Sequence, residues 1–380
     1  MKIGIDARMI DNEFTGIGRY SYSFLRALGQ IDCQNEYLIF KNSRYKKPLT
    51  SGPNFHEIEV NIPKFDIREH LFFYRKMKEE KIDILHSLHY VGPLLGTHKL
   101  IVTIHDLMAI MFPDFFSAYS SITGKILKNY LKLLVYLTLE RVDGIITVSK
   151  WCKSDLTKYF KISKNEIFPI YEAVEKHFRP INNKGLQTSI KKKYQLPSKF
   201  FLYVGNMRPY KNLKRLIDAY QIFFKNYKAE IDLVIAGSKK DKHYGQLFNY
   251  VISNKLEEKV HFTGYVNEND LPILMSSAEC FIFPSLCEGF GFPPLEAMAC
   301  GTPVITSNVS SLPEIVNGAG ILVNPYDVHE IAKAMFRVIS DKSLRKTLIH
   351  KGIERSKQFS WEKCAKETLL VYEKVFKQVK

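Results

Sequence analysis

The chain has 380 residues, of which 46% are hydrophobic and 25% are charged, a balance that excludes a disordered protein and suggests about two domains. Its formal net charge is +16. A charge of that size is compatible with nucleic-acid binding, but no nucleic-acid motif accompanies it. We therefore expect a solvated basic surface and no nucleic-acid partner.

The N-terminus and the cysteines indicate the compartment. The first residues lack the apolar central region of a signal peptide, and no run approaches the roughly 20 apolar residues that a membrane-spanning helix needs. The six cysteines include no C-x-x-C pair, which is typical of reduced structural thiols. We expect a cytoplasmic protein that is either soluble or attached peripherally to the inner face of the cell membrane.

Short apolar strands alternate with helices along the whole chain. The predicted strands span residues 2–5, 37–40, 82–86, 100–104 and 144–149 in the first half, and 200–205, 231–236, 260–263, 280–284 and 303–306 in the second. Helices are predicted between them, for example at 17–28, 212–224 and 328–339. Such alternation is typical of parallel sheets covered on both faces, so we predict an α/β fold with two doubly wound, Rossmann-like domains.

The two domains are predicted at residues 1–175 and 176–360. Residues 181–188, which contain paired asparagines and Gly185, are interpreted as a connection. In doubly wound sheets, ligands bind at the carboxyl ends of the strands. The motifs described next all fall at such ends, which is the main support that the residues alone give to a binding function.

Two motifs of the first half follow predicted strands. Gly16 lies in a Thr-Gly-Ile-Gly stretch, where glycine lets backbone amides approach a phosphate, although a tight strand-helix turn has the same pattern. His105 and Asp106 end an apolar strand. A histidine there can bond a hydroxyl group, whereas a lone histidine is more often structural. The adjacent Asp106 and the position at a strand end favour a functional role.

Residues 206–211 carry positive charge after another predicted strand. Arg208 can grip phosphate oxygens through two hydrogen bonds, and Lys211 can act as a point charge. The alternative is a pair of ordinary surface cations near a helix start. No Lys or Arg occurs between Val260 and Ala332, the segment that holds the most informative motif. A positive charge that meets a phosphate at that motif must therefore come from elsewhere in the chain.

That motif runs from Glu288 to Glu296. After the strand, Glu288 is followed by a Gly-Phe-Gly turn and by Pro293-Pro294, which can open a helix and would place Glu296 in its first turn. Both carboxylates would then border a helix N-terminus, whose free amides suit a phosphate, and carboxylates can accept hydrogen bonds from sugar hydroxyls. Two solvated glutamates are the alternative, but the Gly-Phe-Gly-x-Pro element favours a site for a sugar and a phosphate.

These motifs, together with residues 15–20, 103–107, 147–149, 209–213 and 300–304, resemble in sequence and order those of the retaining glycosyltransferases of family 4. The resemblance covers nearly the whole chain and is greatest to bacterial mannosyltransferases of O-antigen and lipopolysaccharide assembly. It implies a GT-B fold, in which two Rossmann-like domains face each other across a cleft. Residues 1–175 would be the acceptor domain, 176–360 the donor domain, and a terminal helix at 361–380 would pack on the first domain.

The resemblance also implies roles for individual residues. The catalytic residues would be His105, Asp106 and Glu288, of which Glu288 binds hydroxyls of the donor sugar. The donor-binding residues would be Gly16, Arg208, Lys211, Gly264, Tyr265, Phe290, Gly291, Phe292 and Glu296. In the wider family an arginine often stands in the place of Asn206, and Arg208 would take over its role.

No metal or other cofactor is expected, because no Asp-x-Asp pair occurs and the spacing of His and Cys offers no zinc site. The sugar nucleotide would be a substrate. Backbone amides, a helix N-terminus and basic side chains would stabilise the leaving phosphate, and attack on the same face of the sugar would give retention. A covalent intermediate is the alternative, and it requires a carboxylate beneath the anomeric carbon.

The sequence therefore predicts a hexosyltransferase that acts on a saccharide or lipid-linked acceptor in cell-surface polysaccharide synthesis. Mannose from GDP-mannose is the best single assignment, and it rests on the resemblance. The alternatives are a sugar-nucleotide epimerase of the same fold and a non-enzymatic basic scaffold that binds membranes or polyanions. Loops that bind the acceptor are expected near residues 44–65 and 108–123.

Two basic stretches are candidates for membrane contact. Lys125, Lys128 and Lys132 accompany an apolar run at 126–139, and four basic residues lie among the apolar residues at 68–78. Basic amphipathic helices can lie on anionic lipid. The commoner interpretation, which the sequence favours, is a helix that packs on the core and exposes a solvated basic face.

Overall fold

In the computed structural model the described residues are 1–11, 16–50, 52–96, 98–108, 122–160, 162 and 166–378. They form two compact units, one of Met1–Glu172 with Ser360–Lys380 and the other of Ala173–Phe359. The chain passes between the units at residues 172 and 173, close to the predicted boundary after residue 175. Thr15 and most of the predicted acceptor loop at 108–123 lie outside the described residues.

Within the described residues, the first unit has the strands β1 (Lys2–Asp6), β2 (Glu36–Asn42), β3 (Phe55–Val60), β4 (Ile84–Ser87), β5 (Lys99–Ile104), β6 (Gly144–Thr147) and β7 (Ile167–Pro169). They form one parallel sheet in the order β3-β2-β1-β4-β5-β6-β7. Ile5 of β1 lies opposite Ile39 on one side and His86 on the other. The strand order reverses between β1 and β4, and this is the point at which such sheets bind ligands.

The second unit, all of whose residues are described, has the strands β8 (Phe200–Val204), β9 (Asp232–Ala236), β10 (Val260–Gly264), β11 (Cys280–Phe283), β12 (Val304–Ser307) and β13 (Ile321–Val323). They form a second parallel sheet in the order β10-β9-β8-β11-β12-β13. Here the strand order reverses between β8 and β11, which are direct neighbours in the sheet. In the chain, 75 residues lie between the end of β8 at Val204 and the start of β11 at Cys280.

Helices cover both sheets. The first unit contains α1 (Gly16–Ile31), α2 (Arg68–Glu79), α3 (Ile122–Arg141) and α4 (Lys150–Phe160). The second contains α5 (Lys184–Lys193), α6 (Leu213–Tyr227), α7 (Tyr244–Ser253), α8 (Leu271–Ser276), α9 (Phe292–Ala299), α10 (Leu312–Val316), α11 (Val328–Ser340) and α12 (Lys342–Ser356). The terminal helix α13 (Trp361–Lys377) belongs to the first unit.

The first sheet has an apolar core on each face. On one face α1 and α13 contribute buried side chains such as Phe24 and Tyr372. On the other face α2, α3 and α4 contribute Phe73, Leu134 and Leu156. A parallel sheet buried on both faces needs near-continuous apolar strands, and this explains why most of its strands could be predicted from short apolar runs.

Three strands escaped prediction, and each of them lies at the edge of a sheet. They are β3 and β7 at the two edges of the first sheet and β13 at one edge of the second. Edge strands are short and partly solvated, so their apolar pattern is weak. Strand β3, for example, reads Phe-His-Glu-Ile-Glu-Val and is only partly buried.

The predicted connection at 181–188 is wrong in part, because residues from Lys184 onward form helix α5. The side chain of Asn183 accepts a hydrogen bond at 3.0 Å from the backbone N–H of Leu186. The asparagine that suggested a loop is therefore the N-cap of a helix, a position that asparagine favours.

The predictions of reduced cysteines and of no membrane-spanning helix can be compared with the structure. None of the six cysteines forms a disulfide, and all except Cys33 are buried. Among the described residues, no helix combines the length and the apolar character needed to span a bilayer.

A buried polar contact ties α13 to the first sheet. His86 Nδ1 lies 2.6 Å from the Tyr372 hydroxyl, and His86 Nε2 lies 2.8 Å from Thr103 Oγ1. His86 has no exposed surface. Burial, with a smaller contribution from His105, lowers the pKa of His86 to about 3. The histidine is therefore neutral in the folded protein at physiological pH.

We expect this histidine to make the first unit sensitive to acid. Below its ordinary pKa of about 6.5, His86 takes up a proton in the unfolded chain but not in the folded one, so stability falls as the pH falls from about 7 towards 3. At pH 5 the loss should be about 2 kcal/mol. Urea unfolding of wild type and His86→Gln at pH 7.5 and pH 5 measures it. Between pH 7.5 and pH 5 the unfolding free energy of the variant should fall by about 2 kcal/mol less than that of wild type. Equal losses would contradict the burial of a neutral His86.

Candidate functional site

Two loops of the second unit emerge side by side at the carboxyl ends of β8 and β11. Strand β8 leads into a loop at 205–208 and a single 3-10 turn, Pro209–Lys211, and β11 leads into residues 284–291. The backbone N–H of Leu286 donates to the Tyr210 carbonyl at 2.7 Å, which joins the two loops. The switch point of the sheet thus brings together two motifs that are about 75 residues apart in the sequence.

Glu288 and Lys211 form a buried ion pair at this place. Lys211 Nζ lies 2.7 Å from Glu288 Oε1, and the two side chains are 8% and 11% exposed. Ser285 Oγ donates a hydrogen bond to the same oxygen. The Lys211 ammonium also lies over the Phe283 ring, 4.7 Å from its centroid. Glu288 Oε2 makes no hydrogen bond to the described residues, so it is the oxygen that can accept one from a ligand.

Serine side chains fix the backbone around Glu288. Its N–H donates to Ser310 Oγ at 3.1 Å, and Ser311 Oγ donates to the carbonyls of Glu288 and Phe290 at 2.9 and 2.6 Å. Ser311 is fully buried. Sequence reasoning missed Ser310 and Ser311, because they belong to no motif and act only through the fold.

Gly291 precedes helix α9 with φ 122° and ψ 52°, a conformation that L side chains rarely adopt. The helix begins at Phe292 and carries proline in its first turn. The Phe290 ring packs on Phe292 and Phe359, with centroids 5.5 and 5.8 Å away. Since prolines have no N–H, a phosphate at this helix start would meet the amides around Gly291, and the predicted contact stays a prediction.

Glu296 was predicted in the first turn of this helix, and that placement is wrong. The helix begins one residue before the two prolines, so Glu296 is its fifth residue and the first turn holds no acidic residue. Glu296 is buried, with 3% of its surface exposed. Its predicted contact with a ribose stays a prediction.

Replacing Gly291 by alanine should strain the start of α9. An added Cβ would lie 3.0 Å from Leu312 Cδ2, and the positive φ disfavours any L side chain. We expect the second unit to lose about 1–3 kcal/mol of unfolding free energy. Gly245→Ala in α7 is the matched control, because its Cβ would meet nothing within 4 Å. Urea unfolding that gives the two variants equal stabilities would contradict the strain at Gly291.

The other residues of the second unit that were predicted to bind the donor lie at the same edge of its sheet but are less enclosed. Arg208 is exposed, and its backbone N–H bonds to Asn206 Oδ1 at 3.2 Å. Gly264, with φ 81°, ends β10, and Tyr265 after it is 72% exposed. Strand β10 lies two places from β8 in the sheet, so these two residues are not brought into contact with Glu288.

His105 follows β5 in the first unit and is held at both ring nitrogens. Nδ1 lies 3.0 Å from Glu172 Oε1, and Nε2 lies 3.3 Å from the Leu88 carbonyl. The edge of the histidine ring meets the Tyr20 ring at 4.7 Å between centroids. Burial raises the pKa of Glu172, which is only 2% exposed and was not singled out in the sequence. A carboxylate so placed orients the imidazole.

Asp106 and Gly16 differ from His105 in their surroundings. Asp106 is half-buried, and its Oδ1 accepts a hydrogen bond from the Met108 N–H at 3.0 Å, so it shapes the turn after β5. Gly16 is the exposed first residue of α1, and an added Cβ would meet nothing within 4 Å. These residues and His105 belong to the first unit, whereas Glu288 and Lys211 belong to the second.

A charged cluster that the sequence did not reveal lies at the carboxyl end of β1. Arg8 Nη2 lies 2.8 Å from both Asp6 Oδ2 and Glu69 Oε2, and Lys64 Nζ lies 2.7 Å from Asp6 Oδ2. All four side chains are at most 10% exposed. Although burial opposes ionisation, Arg8 and Lys64 hold the pKa of Asp6 well below its usual range. Among the described residues, no three His, Cys, Asp or Glu side chains are arranged to hold a metal ion.

Comparison with known proteins extends these observations. Residues 14–177 match a family model described as Glycosyltransferase Family 4, and residues 187–355 match one described as Glycosyl transferases group 1. The chain is 29% identical to O-antigen chain mannosyltransferase B of Escherichia coli, over 98% of this chain and 99% of the relative. It is 31% identical to an uncharacterised glycosyltransferase of Methanocaldococcus jannaschii, over 79% of this chain and 77% of the relative.

Solved structures show the same fold. The sucrose-phosphate synthase of Thermosynechococcus elongatus matches this chain with a TM-score of 0.78 and 22% sequence identity, and the match covers 99% of each chain. The prediction of a GT-B fold built from two Rossmann-like domains is confirmed by this likeness and by the two parallel sheets.

Proposed function

We propose that this chain, which belongs to the family 4 glycosyltransferases, moves mannose from GDP-mannose to a saccharide or lipid-linked acceptor in cell-surface polysaccharide synthesis. The relative that matches over nearly its whole length is an O-antigen chain mannosyltransferase, and this supports both mannose and the process. The enzyme would act in the cytoplasm, at the inner face of the membrane where a lipid-linked acceptor is found.

The observation that carries the proposal is the setting of Glu288. Its carboxylate is fixed by Lys211 and Ser285 through one oxygen, beside the start of α9 and at the switch point of the sheet. A fixed carboxylate can accept hydrogen bonds from two hydroxyls of a sugar, and the helix start can bind the phosphate attached to it. A solvated surface glutamate would not need a buried counter-charge.

Lys211 and Arg208 were both predicted to act on the phosphate, but their surroundings favour different roles. Lys211 is tied to Glu288, so its main role would be to hold and neutralise that carboxylate. The exposed guanidinium of Arg208 would contact the diphosphate, together with the backbone amides near Gly291. These groups would stabilise the charge that develops on the leaving phosphate without a metal ion.

Retention follows if the acceptor attacks the face of the sugar that the nucleotide leaves. The departing phosphate would then take the acceptor proton, so no protein carboxylate is needed under the anomeric carbon. His105, oriented by Glu172 at Nδ1, would exchange the 3.3 Å contact of its Nε2 with the Leu88 carbonyl for a hydrogen bond to the transferred sugar or its leaving group. Asp106 would shape the turn beside it. A covalent intermediate remains the alternative mechanism.

The experiment is an analysis of products. The protein is incubated with GDP-mannose and a panel of mannosides, with EDTA present, and the products are examined by mass spectrometry and by the one-bond carbon–proton coupling of the new linkage. A mannoside with an α-linkage, the configuration of the donor, is the expected product. A β-linkage would refute retention, an epimerised nucleotide without a glycoside would indicate the epimerase, and turnover only after magnesium is added would refute metal independence.

A further inference from the structure

Helix α3 presents apolar side chains on both of its faces. Leu134, Val135 and Leu139 pack into the core of the first unit. On the outward side Ile126 is 65% exposed and Leu133 is 54% exposed, and three further large apolar residues are exposed with them, namely Leu127, Tyr136 and Leu137. The sequence favoured a helix that packs on the core and exposes a solvated basic face. The core packing is confirmed, but the outer face carries these five apolar side chains as well as lysines.

The same surface continues over α2. Ile67, just before the helix, and Leu71 and Tyr74 on its outer side are all exposed. Beside them a groove of about 360 Å³ is lined by the apolar Ile62, Leu71 and Phe72 and by the charged Arg68, Arg75, Lys76 and Glu79. Arg68 is paired with Asp66 and Lys76 with Glu79, whereas Arg75 is exposed and has no ion-pair partner among the described residues. An apolar groove beside the Arg75 guanidinium matches the chemistry of a lipid, which joins acyl chains to a phosphate.

Residues 94–96 link the two helices into one surface. The Leu94 N–H donates to His70 Nδ1 of α2 at 3.3 Å, and Arg141 Nη2 of α3 donates to the Gly96 carbonyl at 3.1 Å. Leu95 lies between these contacts and is exposed. We call Ile67 and the outer sides of α2, residues 94–96 and α3 the α2–α3 surface.

Apolar exposure is concentrated on this surface. It carries nine of the eighteen large hydrophobic side chains that are exposed among the described residues. The others are distributed over both units, for example Leu186 on α5, Phe248 on α7 and Leu370 on α13. Contiguous apolar exposure of this kind marks an interaction site, whereas single exposed residues are ordinary.

The charged residues of the α2–α3 surface indicate what kind of partner it binds. Helix α3 carries Lys125, Lys128 and Lys132, with Glu140 as its acidic residue. Among the described residues, neither Lys125 nor Lys132 has an ion-pair partner, and both are exposed. Lysines that border an apolar face can extend their ammonium groups to lipid phosphates while the apolar side chains enter the bilayer.

We propose that the α2–α3 surface docks on an anionic phospholipid bilayer. Apolar side chains would enter the boundary of the headgroups, and the lysines of α3 with Arg75 of α2 would contact lipid phosphates. The inference extends the membrane contact proposed above by naming the surface that makes it. It does not depend on the donor site, which lies in the other unit.

Vesicle flotation tests the surface with the full chain. Wild type is compared with Lys125→Glu/Lys132→Glu and with Ile126→Ser/Leu133→Ser, on vesicles of phosphatidylcholine alone and with phosphatidylglycerol. We expect wild type to bind the anionic vesicles and to bind them more weakly at high salt. The charge reversals should lower the partition coefficient about 30-fold or more, and the apolar changes should lower it about tenfold.

Leu370→Ser/Lys366→Glu is the matched control. Both residues are exposed on α13, which packs on the opposite face of the same sheet. Lys366 forms an exposed ion pair with Glu362. This variant should bind vesicles within about twofold of wild type. All variants should keep the melting temperature and the GDP-mannose affinity of wild type, because the changed side chains are exposed.

Three outcomes would overturn the proposal. Wild type could fail to float with anionic vesicles, the α3 variants could float as well as wild type, or the control could lose binding as strongly as they do. Self-association of wild type that the α3 variants abolish, without vesicle binding, would show that the surface contacts a second copy instead. Because GDP-mannose titration is measured separately, failure of vesicle binding leaves the proposed transfer reaction untouched.

Discussion

Replacing Glu288 by glutamine is expected to lower kcat/KM for mannose transfer by about 100- to 1,000-fold. The carboxylate would lose its charge, the proposed bond to the donor sugar would weaken, and the Lys211 ammonium would lose a charged partner 2.7 Å away. The size of this effect is that of removing one preorganised contact to a reacting group. Initial rates of GDP release at several donor and acceptor concentrations would measure it.

Glu279→Gln is the matched control for this substitution. Glu279 also takes part in an ion pair, with Arg345, but it lies just before β11, at the opposite end of the strand that leads to Glu288. Its replacement should change kcat/KM by less than about twofold, since partly exposed ion pairs contribute little. Equal losses in the two variants would show that Glu288 acts through stability and not through the donor.

Replacing Arg8 by methionine is expected to cost the first unit about 3–5 kcal/mol of unfolding free energy. Methionine fills a similar volume but leaves the carboxylates of Asp6 and Glu69 buried with only Lys64 as a cation. Urea unfolding at pH 7 measures the loss. Arg26→Met is the control, because Arg26 is exposed on α1 and, within the described part of the chain, hydrogen-bonds only the Tyr22 hydroxyl, at 3.2 Å. It should cost less than about 0.5 kcal/mol.

The difference in unfolding free energy between wild type and Arg8→Met should depend on pH in one direction. The pKa of Asp6 is lowered by folding, so the ion pair stabilises wild type above the ordinary carboxyl pKa of about 4, and the contribution is lost as the pH falls. The difference between wild type and Arg8→Met should therefore be largest near neutral pH and should shrink below about pH 4. A difference that grows in acid would contradict the charged pairing.

The interior strands and the main motifs could be predicted from the sequence because their signals are local. A short apolar run stopped by proline or glycine is enough to place β11, and the Gly-Phe-Gly turn places Glu288 after it. The edge strands β3, β7 and β13 could not be placed in this way, because a solvated edge weakens the apolar pattern.

The partners within the site could not be predicted, because they depend on strand order. Lys211 and Glu288 are 77 residues apart in the sequence. They meet because the strands that precede them, β8 and β11, are paired in the sheet. Glu172 meets His105 in the same way, across 67 residues. No local pattern states which strands will be neighbours. Two cations and two carboxylates were therefore predicted to act separately, whereas the fold pairs Lys211 with Glu288.

A calorimetric titration would test donor binding most directly. GDP-mannose, UDP-glucose and GDP are titrated, with EDTA present, into wild type and Glu288→Gln. We predict that wild type binds GDP-mannose more tightly than UDP-glucose or GDP and that Glu288→Gln loses only the part of the affinity that the sugar provides. Equal affinity of wild type and variant for GDP-mannose, or no binding of any sugar nucleotide with EDTA or with added magnesium, would contradict the assignment of Glu288 to the donor sugar.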